Sequence, residues 1–152
     1  MRKLFLVFAL AFVASIGIGQ DLSGYWEGEC KKWENDGSPY FMSMEIKQEG
    51  VFIEGEAKIK YKDKEWYCVT KIKGVVIDGG LRFKDMMFVE HHHDSDNGWY
   101  WLLREGFLRY SMDEEGEELK NHVNAYDYTI GAMYENYDYI VLKRKKVKFA
   151  SL

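Results

Sequence analysis

Beyond residue 20, apolar and polar residues alternate one by one along much of the chain. Tyr40, Met42, Met44 and Ile46 interleave with Phe41, Ser43, Glu45 and Lys47. Val51, Ile53, Gly55, Ala57, Ile59 and Tyr61 interleave with Phe52, Glu54, Glu56, Lys58 and Lys60. A period of two is the signature of a strand with one buried face. Glu49-Gly50 between the runs reads as a two-residue turn, so together they predict a β-hairpin. Residues 66–77 predict a long strand bent at Gly74, and Asp78-Gly79-Gly80 a turn. Leu81, Phe83, Met87 and Val89 share one face of the next strand, and 91–98 is a polar loop. Strands at 99–104 and 107–112 flank a tight turn at Glu105-Gly106. After a turn at 113–116, strands follow at 119–125 and 137–144. With 22–30 at the start, about nine strands are predicted and almost no helix.

Short turns between successive strands make neighbours antiparallel, which gives a meander. Its apolar face must be buried, either by closing into an up-and-down barrel or by folding as a sandwich. Closure also removes the exposed strand edges.

The first 19 residues break the pattern. Arg2 and Lys3 precede an unbroken apolar run, 4–14, followed by small residues with Gly17 and Gly19 at signal-peptidase spacing. This order predicts a cleavable secretory signal at 1–19, a barrel domain at 20–146 and a tail at 147–152. The run is too short to span a membrane, which takes about 20 residues. Nothing later in the chain is apolar enough to do so. No Cys lies near 15–20 to accept a lipid. The expected location is the periplasm or the extracellular space. Removing 19 of the 152 residues leaves 133, one domain's worth.

The formal charge of −4 becomes about −6 once Arg2 and Lys3 leave. An acidic domain argues against nucleic acid as a partner, because phosphate binding needs a basic face. The cluster Lys143, Arg144, Lys145, Lys146 and Lys148 reads as the solvated end of the last strand. Export permits a disulfide between Cys30 and Cys68 without requiring one.

Little in the chain points to chemistry. His91 and His93, beside Asp94 and Asp96, are weak metal candidates, since imidazole and carboxylate suit Zn²⁺. A mobile polar loop does not preorganise ligands, so no metal and no cofactor are expected. No serine has a nucleophile context, and nothing brings Cys68 and His122 together, so no catalytic residue is assigned. The aromatics are the larger signal. There are five Trp, eleven Tyr and nine Phe, with only three, all Phe, in the leader. Trp26, Tyr40, Met42, Met44, Trp66, Trp99 and Trp101 are expected to face the interior. There they either fill the core or line a cavity for a ligand.

The domain opens Leu22-Ser23-Gly24-Tyr25-Trp26-Glu27-Gly28. Gly24-Tyr25-Trp26 matches the Gly-x-Trp motif on the first strand of lipocalins and the wider calycins. The chain resembles small secreted lipocalin-like proteins of Bacteroidetes-type bacteria, with their Leu-x-Gly-x-Trp-x-Gly opening and mid-strand glycines such as Gly55 and Gly74. The family's Thr-Asp-Tyr motif is absent, and Arg144 stands where its closing arginine would. The resemblance implies a calycin (lipocalin-like) barrel of 8–9 strands with Trp26 packed across its closed end. It also implies a non-catalytic binding protein for a small apolar or aromatic ligand. The alternative is a secreted interaction or inhibitor protein that presents the loops 91–98 and 126–136 to a macromolecule.

Overall fold

The computed structural model describes residues 20–31, 40–77, 79–92 and 101–146. Its strands are β1 (Gly24–Lys31), β2 (Tyr40–Glu49), β3 (Phe52–Tyr61), β4 (Tyr67–Ile77), β5 (Gly80–His92), β6 (Leu103–Asp113), β7 (Gly116–Asp127) and β8 (Ala132–Lys145). Each pairs antiparallel with the next, and β8 pairs with β1, which closes an eight-stranded up-and-down barrel. The alternation read from the chain is the reason. Trp26, Met42, Met44, Ile46, Ile53, Ala57, Ile59, Ile140 and Leu142 all point inward and are buried.

The outer face carries the charged partners of that alternation, in pairs such as Lys71–Glu56 (2.6 Å), Lys84–Glu105 (3.1 Å) and Lys145–Glu27 (2.9 Å). This apolar-in, charged-out order is the reverse of a transmembrane barrel. No helix among the described residues is long and apolar enough to cross a membrane.

Two expectations are corrected. Residues 105–106 are not a turn: β6 runs straight through them, so eight strands replace nine. Gly106 faces Val123 on β7, where a Cβ would lie 2.9 Å from the valine Cγ1. That glycine permits a close approach between neighbouring strands, not a reversal. Gly74 plays the same part inside an unbroken β4, where a Cβ would come 2.1 Å from the Arg82 carbonyl oxygen.

The second correction concerns Met87 and Val89. They do not share the inward face of Leu81 and Phe83; Met87 is 58% exposed and Val89 is exposed too. The β4–β5 register skips Met86 and Val89, giving two bulges. Each bulge inserts one residue, and a one-residue shift turns the strand beyond it to the other face.

The N-terminal end of the barrel is closed by a strap, residues 20–23. Leu22 and Trp26 have no exposed surface, and the Trp26 indole N–H donates to the Leu22 carbonyl at 2.9 Å. Gln48 stitches the strap down. Its Oε1 accepts from the Leu22 N–H (2.8 Å), and its Nε2 donates to the carbonyls of Gln20 (3.0 Å) and Gly50 (2.8 Å). The Arg144 guanidinium lies 4.8 Å over the Trp26 ring.

Candidate polar layer and aromatic rim

Towards the end opposite the strap, the inward positions change character. Cys30 on β1, Cys68 and Thr70 on β4, Asp85 on β5, Arg104 on β6 and Asp138 on β8 all turn into the barrel and are buried. Each continues the inward period of its strand: Asp85 follows Leu81 and Phe83, and Asp138 precedes Ile140 and Leu142. Closure of the sheet brings five strands' polar positions into one layer.

Arg104 organises that layer. Its Nε donates to Asp138 Oδ2 at 2.6 Å, and its Nη1 donates to the Leu102 carbonyl at 2.8 Å. Its backbone N–H donates to Asp85 Oδ2 at 2.8 Å, and the Thr70 hydroxyl donates to Asp85 Oδ1 at 3.1 Å. Arg104 is 5% and Asp85 2% exposed. Charges this deep persist only when paired and hydrogen-bonded.

Burial is the largest single influence and opposes the charge of Arg104, but the Asp138 carboxylate together with Cys30, Cys68 and Asp85 outweighs it and holds the guanidinium protonated. Asp85 is pushed up to about 6 by burial, against the pull of the Arg104 charge, the Arg104 N–H and the Thr70 hydroxyl. Burial also pushes the Cys68 thiol up to about 12 and raises Cys30 as well. Both sulfurs are therefore protonated near neutral pH, and a thiol is a poor nucleophile.

Backbone irregularities flank the layer. The first β5 bulge begins at Met86, next to Asp85. The β7–β8 register shifts between Val123 and Ala125, and Asn136, two residues before Asp138, has φ of 49°. Bulges concentrate beside functional sites because they re-aim side chains. The β5–β6 ladder stops at Lys84–Glu105, and a cleft of about 110 Å³ between these strands reaches Asp85 and Arg104 from outside.

Above the layer stands an aromatic rim. Tyr40 and Tyr61 meet edge-to-face at 5.2 Å, and Tyr61 meets Trp66 the same way at 5.9 Å. On β5, Phe88 packs against Tyr128 (5.6 Å) and His91 (6.1 Å). Burial first, then the neighbouring Tyr61, raises the Tyr40 phenol.

Of the residues expected inside, Trp26, Met42, Met44, Trp66 and Trp101 are buried and Tyr40 is half-buried. Trp26, Met42, Met44, Trp66 and Trp101 belong to the packed core, Tyr40 packs against it, and Trp66 also meets the rim through Tyr61. Trp99 and His93 lie outside the described residues. His91 is exposed at the end of β5, and no group of three or more metal-ligating side chains forms among the described residues. The permitted disulfide is not formed: Cys30 and Cys68 are unbridged thiols on β1 and β4, with β2 and β3 between them in the sheet. Cys68 faces inward, while His122 packs against the outer Tyr139 at 4.8 Å, so these two are not brought together.

Asp85, Arg104 and Asp138 were not readable as a site. Each is a charged residue in an alternating strand, where charge ordinarily marks the solvent face. The one available signal was phase: Asp85 and Asp138 fall on the apolar beat of their strands. No family model matches the chain, and no curated protein or solved structure matches it. The functional reading therefore comes from these residues and their geometry.

Proposed function

We propose that this chain is an exported, calycin-like barrel that binds a small apolar or aromatic ligand at the end opposite the strap and catalyses no reaction. Export rests on the leader at 1–19. The calycin-like assignment is supported by Gly24-x-Trp26 on β1 and by Arg144 stacked over Trp26. The observation that carries the binding reading is the aromatic rim over a buried polar layer, at one end of a barrel whose other end is strapped shut. Aromatic faces supply contact area, and a few fixed polar groups supply orientation, which is the usual make-up of a small-molecule site. Native mass spectrometry of protein purified from its own host tests this. A co-purifying small molecule that is lost on substituting Trp66 supports it. A ligand that persists in that variant, or bare protein throughout, counts against it.

A second reading, a secreted interaction protein, is favoured by the β7–β8 turn, where Tyr128, Ile130 and Met133 are exposed together. Ile130→Asp would then abolish capture of a partner protein while leaving small-molecule binding intact. Capture that survives the substitution removes this reading.

A further inference from the structure

The loop joining β3 to β4 reads Tyr61-Lys62-Asp63-Lys64-Glu65-Trp66. The Tyr61 N–H donates to the Trp66 carbonyl at 2.8 Å and closes it. The Tyr61 ring stands between those of Tyr40 and Trp66, at interplanar angles of 79° and 69°. Successive near-perpendicular rings build a corner whose walls are π faces. A π face carries negative potential and attracts cations.

That corner already holds one. The Lys64 ammonium lies 3.7 Å from the Trp66 ring centroid and 5.5 Å from that of Tyr61. Asp63 and Glu65 flank Lys64 in sequence, yet among the described residues no carboxylate pairs with it. Lys62, two residues away, behaves differently, with Glu29 at 2.9 Å and the outer Phe41 ring at 4.7 Å. The aromatic corner, and not a neighbouring acid, is where the Lys64 charge rests.

We propose that Tyr61 and Trp66, with Tyr40 packed behind Tyr61, form a site for a small alkylated ammonium ion, and that the Lys64 ammonium is its internal competitor. This deepens the reading of the rim as the binding end and rests on it. A primary ammonium is compact and strongly hydrated, so it returns to water readily. Lys64 is exposed and its stem is flexible, so it can give way to a better-suited cation. An alkylated ammonium is less strongly hydrated and suits an aromatic corner better.

Choline chloride, its uncharged carbon isostere and indole are titrated calorimetrically into the full protein and into Lys64→Gln. Choline is expected to bind, the isostere to bind at least tenfold more weakly, and Lys64→Gln to bind choline about tenfold more tightly, because the internal competitor is gone. Trp66→Leu should abolish choline binding. Tyr61→Leu serves the same purpose if circular dichroism shows that Trp66→Leu has not folded. Equal affinity for choline and isostere, or no gain in Lys64→Gln, overturns the proposal. Indole bound without choline would sink the cation site and leave the binding barrel standing. Neither bound would sink both.

Discussion

The backbone N–H of Arg104 donates to the side-chain carboxylate of Asp85, 2.8 Å away across the β5–β6 seam. The ladder between these strands ends one residue earlier, at Lys84–Glu105, so a carboxylate takes over where the strands part. Asp85 thus holds the wall of the barrel together while sitting on its inner face, and its protonation state matters to stability.

Asp85 has a folded pKa of about 6 against an ordinary value of 3.8. The unfolded chain gives up this proton first. The stabilisation from Asp85 is therefore complete below about pH 4 and is lost as pH rises through 6, a change of about 2–3 kcal/mol. Urea unfolding of wild type and Asp85→Asn across pH 4 to 7 checks this. The wild type should lose stability relative to the variant as pH rises. A difference that stays constant with pH would contradict it.

Arg104 and Asp138 form a buried pair with an N–O distance of 2.6 Å. Arg104→Met leaves the Asp138 carboxylate buried and uncompensated, and should cost about 3–5 kcal/mol. The double substitution Arg104→Met with Asp138→Leu should recover much of that loss, because both charges leave together. Denaturant titrations of Arg104→Met, Asp138→Leu, the double variant and the wild type close the cycle. A double variant no more stable than the single one would show that the layer holds the fold through more than this pair.

Gln48 fastens the strap through two side-chain hydrogen bonds, to the Leu22 N–H and the Gln20 carbonyl, and is itself held by a third to the Gly50 carbonyl. Gln48→Ala should lower stability by about 1–2 kcal/mol and speed hydrogen exchange at the Leu22 amide and the Trp26 indole. Unchanged protection at those two sites would mean that Leu22 packing alone keeps this end closed.

Cys30 and Cys68 are buried, not joined by a disulfide, and held protonated. A thiol reagent should label neither in native protein at neutral pH and both after unfolding. The intact mass of untreated protein should be that of the dithiol. Rapid native labelling, or a mass lighter by two hydrogens, would contradict the arrangement of β1 and β4.

The alternation along the chain determined by itself that the protein is an antiparallel all-β meander. Each half-buried strand shows by its own pattern which face is inward, and Trp26, Met42, Met44 and Ile46 were legible for that reason. Turn chemistry was legible less well. Glu105-Gly106 has the composition of a turn, yet Gly106 serves close packing against Val123 inside one strand. The polar layer was hidden, because Asp85, Arg104 and Asp138 lie far apart in sequence and each looks locally like a solvent-facing charge. The bulges at Met86 and Val89 added to this by moving Met87 off the apolar beat. Only closure of the sheet decides that inward positions on β1, β4, β5, β6 and β8 share one level. The Lys64 ammonium over Trp66 was likewise out of reach, since a side chain's choice between a carboxylate and a ring face depends on where the loop places all three. Strand identity is a local property that the chain can state, whereas pairing of charges across a barrel is a long-range property that exists only once the last strand meets the first.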